Sequence, residues 1–280
     1  MTDTGPARQM SNLQLRIISA IVLAAAVLVV TWLGGGAFRI VMALMAALMF
    51  YEWCAMSRRE GGARHQLIAA VCLAAALVGV VVGYPATVVL VLLAVCVVLS
   101  IVENKVAGQG MWVPAGLAYA GLSGLSLAYL RGDGHAGLLA ILFLFVVVWA
   151  TDISAYFVGR SLGGPKLAPS ISPGKTQSGA LGGTIGGVLA GMILAIYAGL
   201  PNLPLLALVA FVLSVVSQMG DLFESWVKRR HGVKDSGKLI PGHGGVMDRV
   251  DGLVAAALAL YAVGALMAGA NSPAQALFAG

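Results

Sequence analysis

Apolar runs long enough to cross a bilayer recur along the whole chain, at roughly 17–34, 38–56, 66–84, 86–102, 112–130, 137–158, 180–200, 203–220 and 252–270. A hydrocarbon core about 30 Å thick takes roughly 20 residues of helix to span. Inside it every backbone amide must find its partner within the protein, which leaves only helices or a closed barrel. The runs show no period-two alternation, so the chain is predicted to be an all-α, polytopic membrane protein with about nine transmembrane helices. The fifth run is the weakest, being rich in glycine and serine. Charged residues make up only 10% of the 280, too few to cover the surface of a soluble domain. No linker, low-complexity tract or repeat divides the sequence. One integral membrane domain over 1–280 is expected, with 1–110 supplying mainly packing spans and 137–270 the catalytic half.

The basic residues orient these spans. With nine crossings and the N-terminus inside, fifteen of the seventeen Lys and Arg fall on inner segments, and only Arg39 and Arg131 fall outside. That asymmetry predicts a cytoplasmic N-terminus and an outward C-terminus. It also puts two polar loops, 159–179 and 221–251, on one cytoplasmic face. The net charge of +6 sits in short loops beside apolar runs, where it serves topology and anionic headgroups, not nucleic acid. Arg8 and Arg16 precede a first run too long for a signal-peptide core, so that run is read as a retained span. Cys54, Cys72 and Cys96 lie in apolar runs without ligand-like spacing and read as packing residues.

Of 28 charged residues, eleven fall in the 31 positions 221–251, and polar groups this close to lipid mark a site. Asp221, Glu224, Ser225 and Lys228 are spaced i, i+3, i+4, i+7, on one face of a helix leaving the bilayer. Either they make a solvated helix end, or their carboxylates bind a hard cation such as Mg²⁺. Asp248 and Asp251 stand i, i+3 at the start of the last span, behind His243-Gly244-Gly245. Carboxylates there can be helix caps, whereas glycines beside charge also let backbone approach a phosphate. The other loop, from Ser170 through Ser172, Lys175, Thr176 and Ser178, offers hydroxyls, a lysine and a helix start, which suits phosphate. Gly174-Lys175-Thr176 is not a P-loop, because Pro169 occupies the place of its first glycine. Asp152 is an intramembrane carboxylate and a candidate by position. Glu52 and Glu103, near inner ends, are accounted for by snorkelling or loop placement, and His65, His135 and His231 by loops. Gly182, Gly183, Gly186 and Gly187 form small-x-x-x-small pairs that either pack helices closely or are ordinary intramembrane glycines.

These residues carry a resemblance. Ser225-x-Val227-Lys228-Arg229, then Lys234-Asp235-x-Gly237, then Ile240-Pro241-x-His243-Gly244-Gly245-Val246-x-Asp248-Arg249-Val250-Asp251 resembles the 27-residue signature of the phosphatidate cytidylyltransferases, the CDP-diacylglycerol synthases. A second stretch, from Asp152 through Tyr156 to Arg160, then Lys166 and Ser172 to Thr176, is similar to another conserved segment of that family. Two positions depart from it: Gly174 stands for an expected lysine and Ser178 for an expected glutamate. The resemblance implies condensation of CTP with phosphatidate to CDP-diacylglycerol and pyrophosphate, with Mg²⁺ and room for a second cation. It implies Asp221 and Asp248 as metal ligands with Asp251 a third candidate, and Ser172, Lys175 and Thr176 on the CTP phosphates. Lys228, Arg229 and Arg249 are candidates for the lipid phosphate, and His243 for a phosphate contact. Asp152, Ser225, Lys234 and Asp235 complete the expected substrate-binding set. It also implies an inner (plasma) membrane enzyme of bacterial type whose partners are CTP, phosphatidate and membrane lipids, with a homodimer as a candidate assembly. A CTP-using lipid kinase would release CDP instead. A CDP-alcohol phosphatidyltransferase would need an arginine soon after Asp251-Gly252, which is missing, and a transporter would carry charge at mid-span.

Overall fold

The computed structural model describes residues 12–57, 62–240 and 244–279. Nine long helices follow one another: α1 (Asn12–Leu33), α2 (Gly35–Met56), α3 (Ala63–Val82), α4 (Ala86–Val106), α5 (Trp112–Arg131), α6 (His135–Leu162), α7 (Gln177–Tyr197), α8 (Leu203–Arg230) and α9 (Met247–Ala268). Among the described residues, α2 to α9 are each long and apolar enough to cross a membrane, and α1 has an apolar stretch at Ile21–Leu33. The protein is a polytopic helical membrane protein, as the apolar runs predict. At 1.5 Å per residue these helices are about 30–42 Å long.

The weak fifth run has a structural cause. Within α5, 72% of the spanning window is buried inside the protein, against 28% for α4. A helix enclosed by helices needs small residues where neighbours cross it, not lipid-facing bulk. Gly116 receives the ring of Trp53, Gly121 the side chain of Leu93, and Gly124 lies against Ala46 and the Met42 carbonyl.

The glycines of α7 serve the same end. Gly179, Gly183, Gly187 and Gly191 recur every four residues, and a Cβ at any of them would collide with α6 at Ala155, Thr151 or Val147. Gly182 and Gly186 do the same against Val158 and Ser154. The close-packing alternative for these glycines is the one found, and α6 with α7 forms the most extensive helix pair.

Three features were not foreseen from sequence. A hairpin of β1 (Lys166–Ala168) and β2 (Ser172–Thr176) fills the first polar loop, pairing Lys166 with Thr176 and Ala168 with Ser172. A short helix, α10 (Gln275–Phe278), folds back so that Phe278 packs edge-on against Phe143, centroids 5.4 Å apart. Arg131, 4% exposed, donates to the carbonyls of Thr31 (2.6 Å), Trp32 (3.1 Å), Gly132 (3.2 Å) and Gly134 (3.3 Å). At Thr31, Trp32 and Gly132 it serves carbonyls at the ends of α1 and α5, while the Gly134 carbonyl, at the start of α6, also accepts from Leu138 N.

Candidate functional site

The two polar loops meet. Lys175, on β2, forms an ion pair with Asp221, on α8, and Arg229 Nε lies 3.4 Å from the Ile171 carbonyl. Between α6, the hairpin, α7 and α8 lies a cavity of about 660 Å³. Its walls include Asp152, Tyr156 and Arg160 from α6, Lys166, Lys175 and Thr176 from the hairpin, and Gln218 and Asp221 from α8. Asp152 interacts electrostatically with Asp221, Asp251 and Lys175. Three cations thus face two carboxylates in one recess.

Local chemistry holds the hairpin in place. Thr176 caps α7, its Oγ1 accepting from Gly179 N at 3.1 Å. Ser178, where the family's other conserved segment leads one to expect a glutamate, donates to the Gly163 carbonyl beyond the end of α6 and lies 3.1 Å from Thr176 Oγ1. Gly174 has open space around it.

Behind the cavity the signature segment folds around a second polar group. Lys228 Nζ reaches Glu224 Oε2 and Asp248 Oδ1, each at 2.7 Å. Asp248 Oδ2 accepts from Ser236 N (2.9 Å) and Gly245 N (2.8 Å), and shares with Glu52 the single hydroxyl proton of Ser236, whose Oγ lies 3.0 Å from each carboxylate. Gly244, at φ 84°, brings the backbone so near Asp248 that a Cβ would lie 2.7 Å from Oδ2. The remaining support comes from the first half of the chain. Glu52, 1% exposed on α2, accepts from Val246 N (2.8 Å), Met247 N (2.9 Å) and Ser236 Oγ (3.0 Å). It therefore caps the start of α9 across 195 positions of sequence. The reading of Glu52 as a snorkelling residue is corrected: it is buried because three donors await it. The loop reading of His65 is corrected too, since it lies in α3 with Nδ1 2.6 Å from Glu103 Oε1.

The other expected residues divide by exposure. Ser172 is half-buried in β2. Ser225 Oγ sits 3.4 Å from Asp221 Oδ1. Arg229, Lys234, Asp235 and Arg249 are exposed around the signature segment. Lys228 differs, being mostly enclosed and already committed to two carboxylates. His243 lies outside the described residues, as do Pro241, Arg8, Arg58 and Arg59.

The donor set suits a hard divalent cation. Glu224 is fully buried and its Oε1 has no hydrogen-bond partner. The carboxyl of Asp251 lies against it, and Asp221 is within electrostatic reach. Two carboxyls this close and this buried need a shared proton or a cation between them. Among the described residues no group of three or more His, Cys, Asp or Glu is arranged to hold a metal ion by itself. An open set fits Mg²⁺, which keeps waters and takes phosphate oxygens. Asp248 Oδ2 is filled by two backbone donors and the shared hydroxyl, whereas Oδ1 beside Lys228 keeps a lone pair.

A model of the cytidylyltransferase family matches residues 14–267. A phosphatidate cytidylyltransferase of Brucella suis biovar 1 is 48% identical over 273 residues, 96% of this chain and 99% of the relative. One from Brucella abortus biovar 1 is 50% identical over 263 residues, 92% and 96% of the two chains. A Staphylococcus epidermidis protein of the same name is 43% identical over 129 residues, 46% of this chain and 50% of its own.

Proposed function

The chain belongs to the cytidylyltransferase family, and from that membership we propose that it condenses CTP with phosphatidate, releasing pyrophosphate and CDP-diacylglycerol. It is a nucleotidyltransferase of phospholipid biosynthesis. The observation that carries this reading is near-half identity along almost the full length of phosphatidate cytidylyltransferases. The meeting of the two loops at Lys175 and Asp221 supports it. The basic-residue asymmetry supports a cavity on the cytoplasmic side of a bacterial inner membrane, where a lipid headgroup and a soluble nucleotide can both arrive.

Two anionic phosphates must be joined, so the residues act mainly by positioning and charge neutralisation. An anionic oxygen of phosphatidate attacks the α-phosphorus of CTP in line. A new P–O bond forms as the bond to the β-phosphate bridging oxygen breaks, and that oxygen leaves on pyrophosphate. The nucleophile is already ionised near neutral pH, so no residue need take a proton. Lys175, Lys166 and Arg160 line the cavity as partners for the triphosphate. Arg229 and Arg249, exposed on the signature segment, suit the lipid phosphate. Lys228 instead holds Glu224 and Asp248 in register. Asp221, Asp248 and Asp251 are the carboxylates that would meet Mg²⁺, one or two of them at a time, with waters and phosphate oxygens completing its shell. When bound, that ion supplies positive charge to the phosphate oxygens.

The test is to incubate purified protein with phosphatidate, α-labelled CTP and Mg²⁺, then extract the lipid. A labelled lipid with one pyrophosphate per turnover is expected, lost on chelation and in Asp221→Ala. Release of CDP with phosphate transferred to lipid would refute the proposal.

A further inference from the structure

The side-chain amide of Gln218 is held one way round. The two N–H groups of Nε2 are shared among three acceptors, the carbonyls of Ala180 (3.3 Å) and Ser214 (3.3 Å) and Thr184 Oγ1 (3.1 Å). Thr184 Oγ1 itself donates to the Ala180 carbonyl at 3.1 Å. Carbonyls only accept, so turning the amide over would set oxygen against oxygen. Oε1 is thereby fixed as an acceptor. It receives no hydrogen bond from the described residues, it is not among the enclosed atoms, and Gln218 lines the cavity. Gln218 stands one helical turn before Asp221, about 4.5 Å of rise along α8. On α6, Tyr156 is the one aromatic residue among those lining the cavity. Its ring is 59% exposed, and Arg160 Nη1 donates to its hydroxyl at 3.0 Å.

We infer that this cavity holds the base subsite, where Gln218 Oε1 accepts from the exocyclic amine of cytosine and Tyr156, on the facing wall of the same cavity, supplies a stacking face. The inference rests on the nucleotide reading above and deepens it. Cytosine presents an N–H donor at C4, whereas uracil presents a carbonyl there. A fixed acceptor rewards the first and repels the second, so CTP and UTP part at this contact. Stacking on Tyr156 favours any pyrimidine and adds no choice between them. A base here leaves the ribose and phosphates to run past Asp221 toward Lys175.

The experiment uses full-length protein in detergent with phosphatidate and Mg²⁺, comparing kcat/KM for CTP and UTP. Gln218→Leu is expected to lower kcat/KM for CTP by ~10- to 100-fold and leave UTP nearly unchanged, collapsing the preference. Thr184→Val keeps side-chain volume but removes one anchor of the amide, and is expected to lower the same ratio by a smaller factor. It serves should Gln218→Leu fail to accumulate. Tyr156→Leu is expected to raise KM for both nucleotides alike. An unchanged CTP/UTP ratio in the Gln218 or Thr184 variant overturns the inference. So does equal loss on both nucleotides, which marks a structural role only. Failure of the unaltered protein to label lipid from CTP would instead sink the underlying reading.

Discussion

Glu52→Gln is the substitution with the most to say about how this site is held together. The carboxylate takes backbone N–H groups of Val246 and Met247 and the hydroxyl of Ser236, all within 3.0 Å, in a place 1% exposed. Glutamine keeps the volume, and its single oxygen can satisfy one backbone donor. Its NH₂ must then face the other N–H. Leaving a buried donor unsatisfied costs about 1–3 kcal/mol, and weakening two hydrogen bonds to a charged group costs roughly as much again. The sum is about 2–6 kcal/mol, concentrated at the start of α9 where Asp248, Arg249 and Asp251 begin. Ser236 links this point directly to Asp248, so the loss should spread to Asp248 and Asp251, the carboxylates proposed for the metal. Thermal denaturation in detergent, followed by loss of the monodisperse chromatographic peak, should show a lowered midpoint. Activity at low temperature should fall more through kcat than through KM for CTP, because the triphosphate contacts on the hairpin are untouched. An unaltered midpoint together with unaltered kcat would refute the capping argument.

Lys175→Ala removes the cation nearest Asp221 in the cavity. It should raise KM for CTP at least tenfold, with a smaller change for phosphatidate, measured by varying each substrate in turn. The reverse split would move Lys175 to the lipid. Gly183→Val adds atoms where a Cβ already meets Ala155 Cβ and the Thr151 carbonyl at 2.9 Å. Overpacking of this kind costs about 1–3 kcal/mol or more, so the yield of folded protein and its thermal midpoint should drop, while Gly174→Ala, in open space, should leave both unchanged.

What could be read in advance follows from how far each signal reaches along the chain. Apolar runs are local, and the predicted spans agree with the helices to within about five residues, apart from the inner end of α8, whose polar last turns reach Arg230. The expectation that the loops 159–179 and 221–251 meet came from the placement of basic residues, and the Lys175–Asp221 pair fits it. The hairpin was illegible because a segment of Gly, Pro, Ser and Lys has no alternation to betray a strand. Glu52 was illegible for a different reason. A lone carboxylate near a helix end has a cheap explanation at hand, and its true partners lie almost 200 positions away. Lys228 misled in the opposite sense, since a signature lysine suggests phosphate, yet its neighbours in space are Glu224 and Asp248. Gln218 drew no attention, because an amide becomes informative only when its donors are seen to be spoken for.

The glycine seam constrains how the recess can breathe. Two helices whose main chains touch through three turns have no cushion of side chains to shear over, so α6 and α7 must move as a single rigid plank. Any widening that admits a lipid or lets a nucleotide depart has to come from the hairpin or from α8 tilting away from that plank.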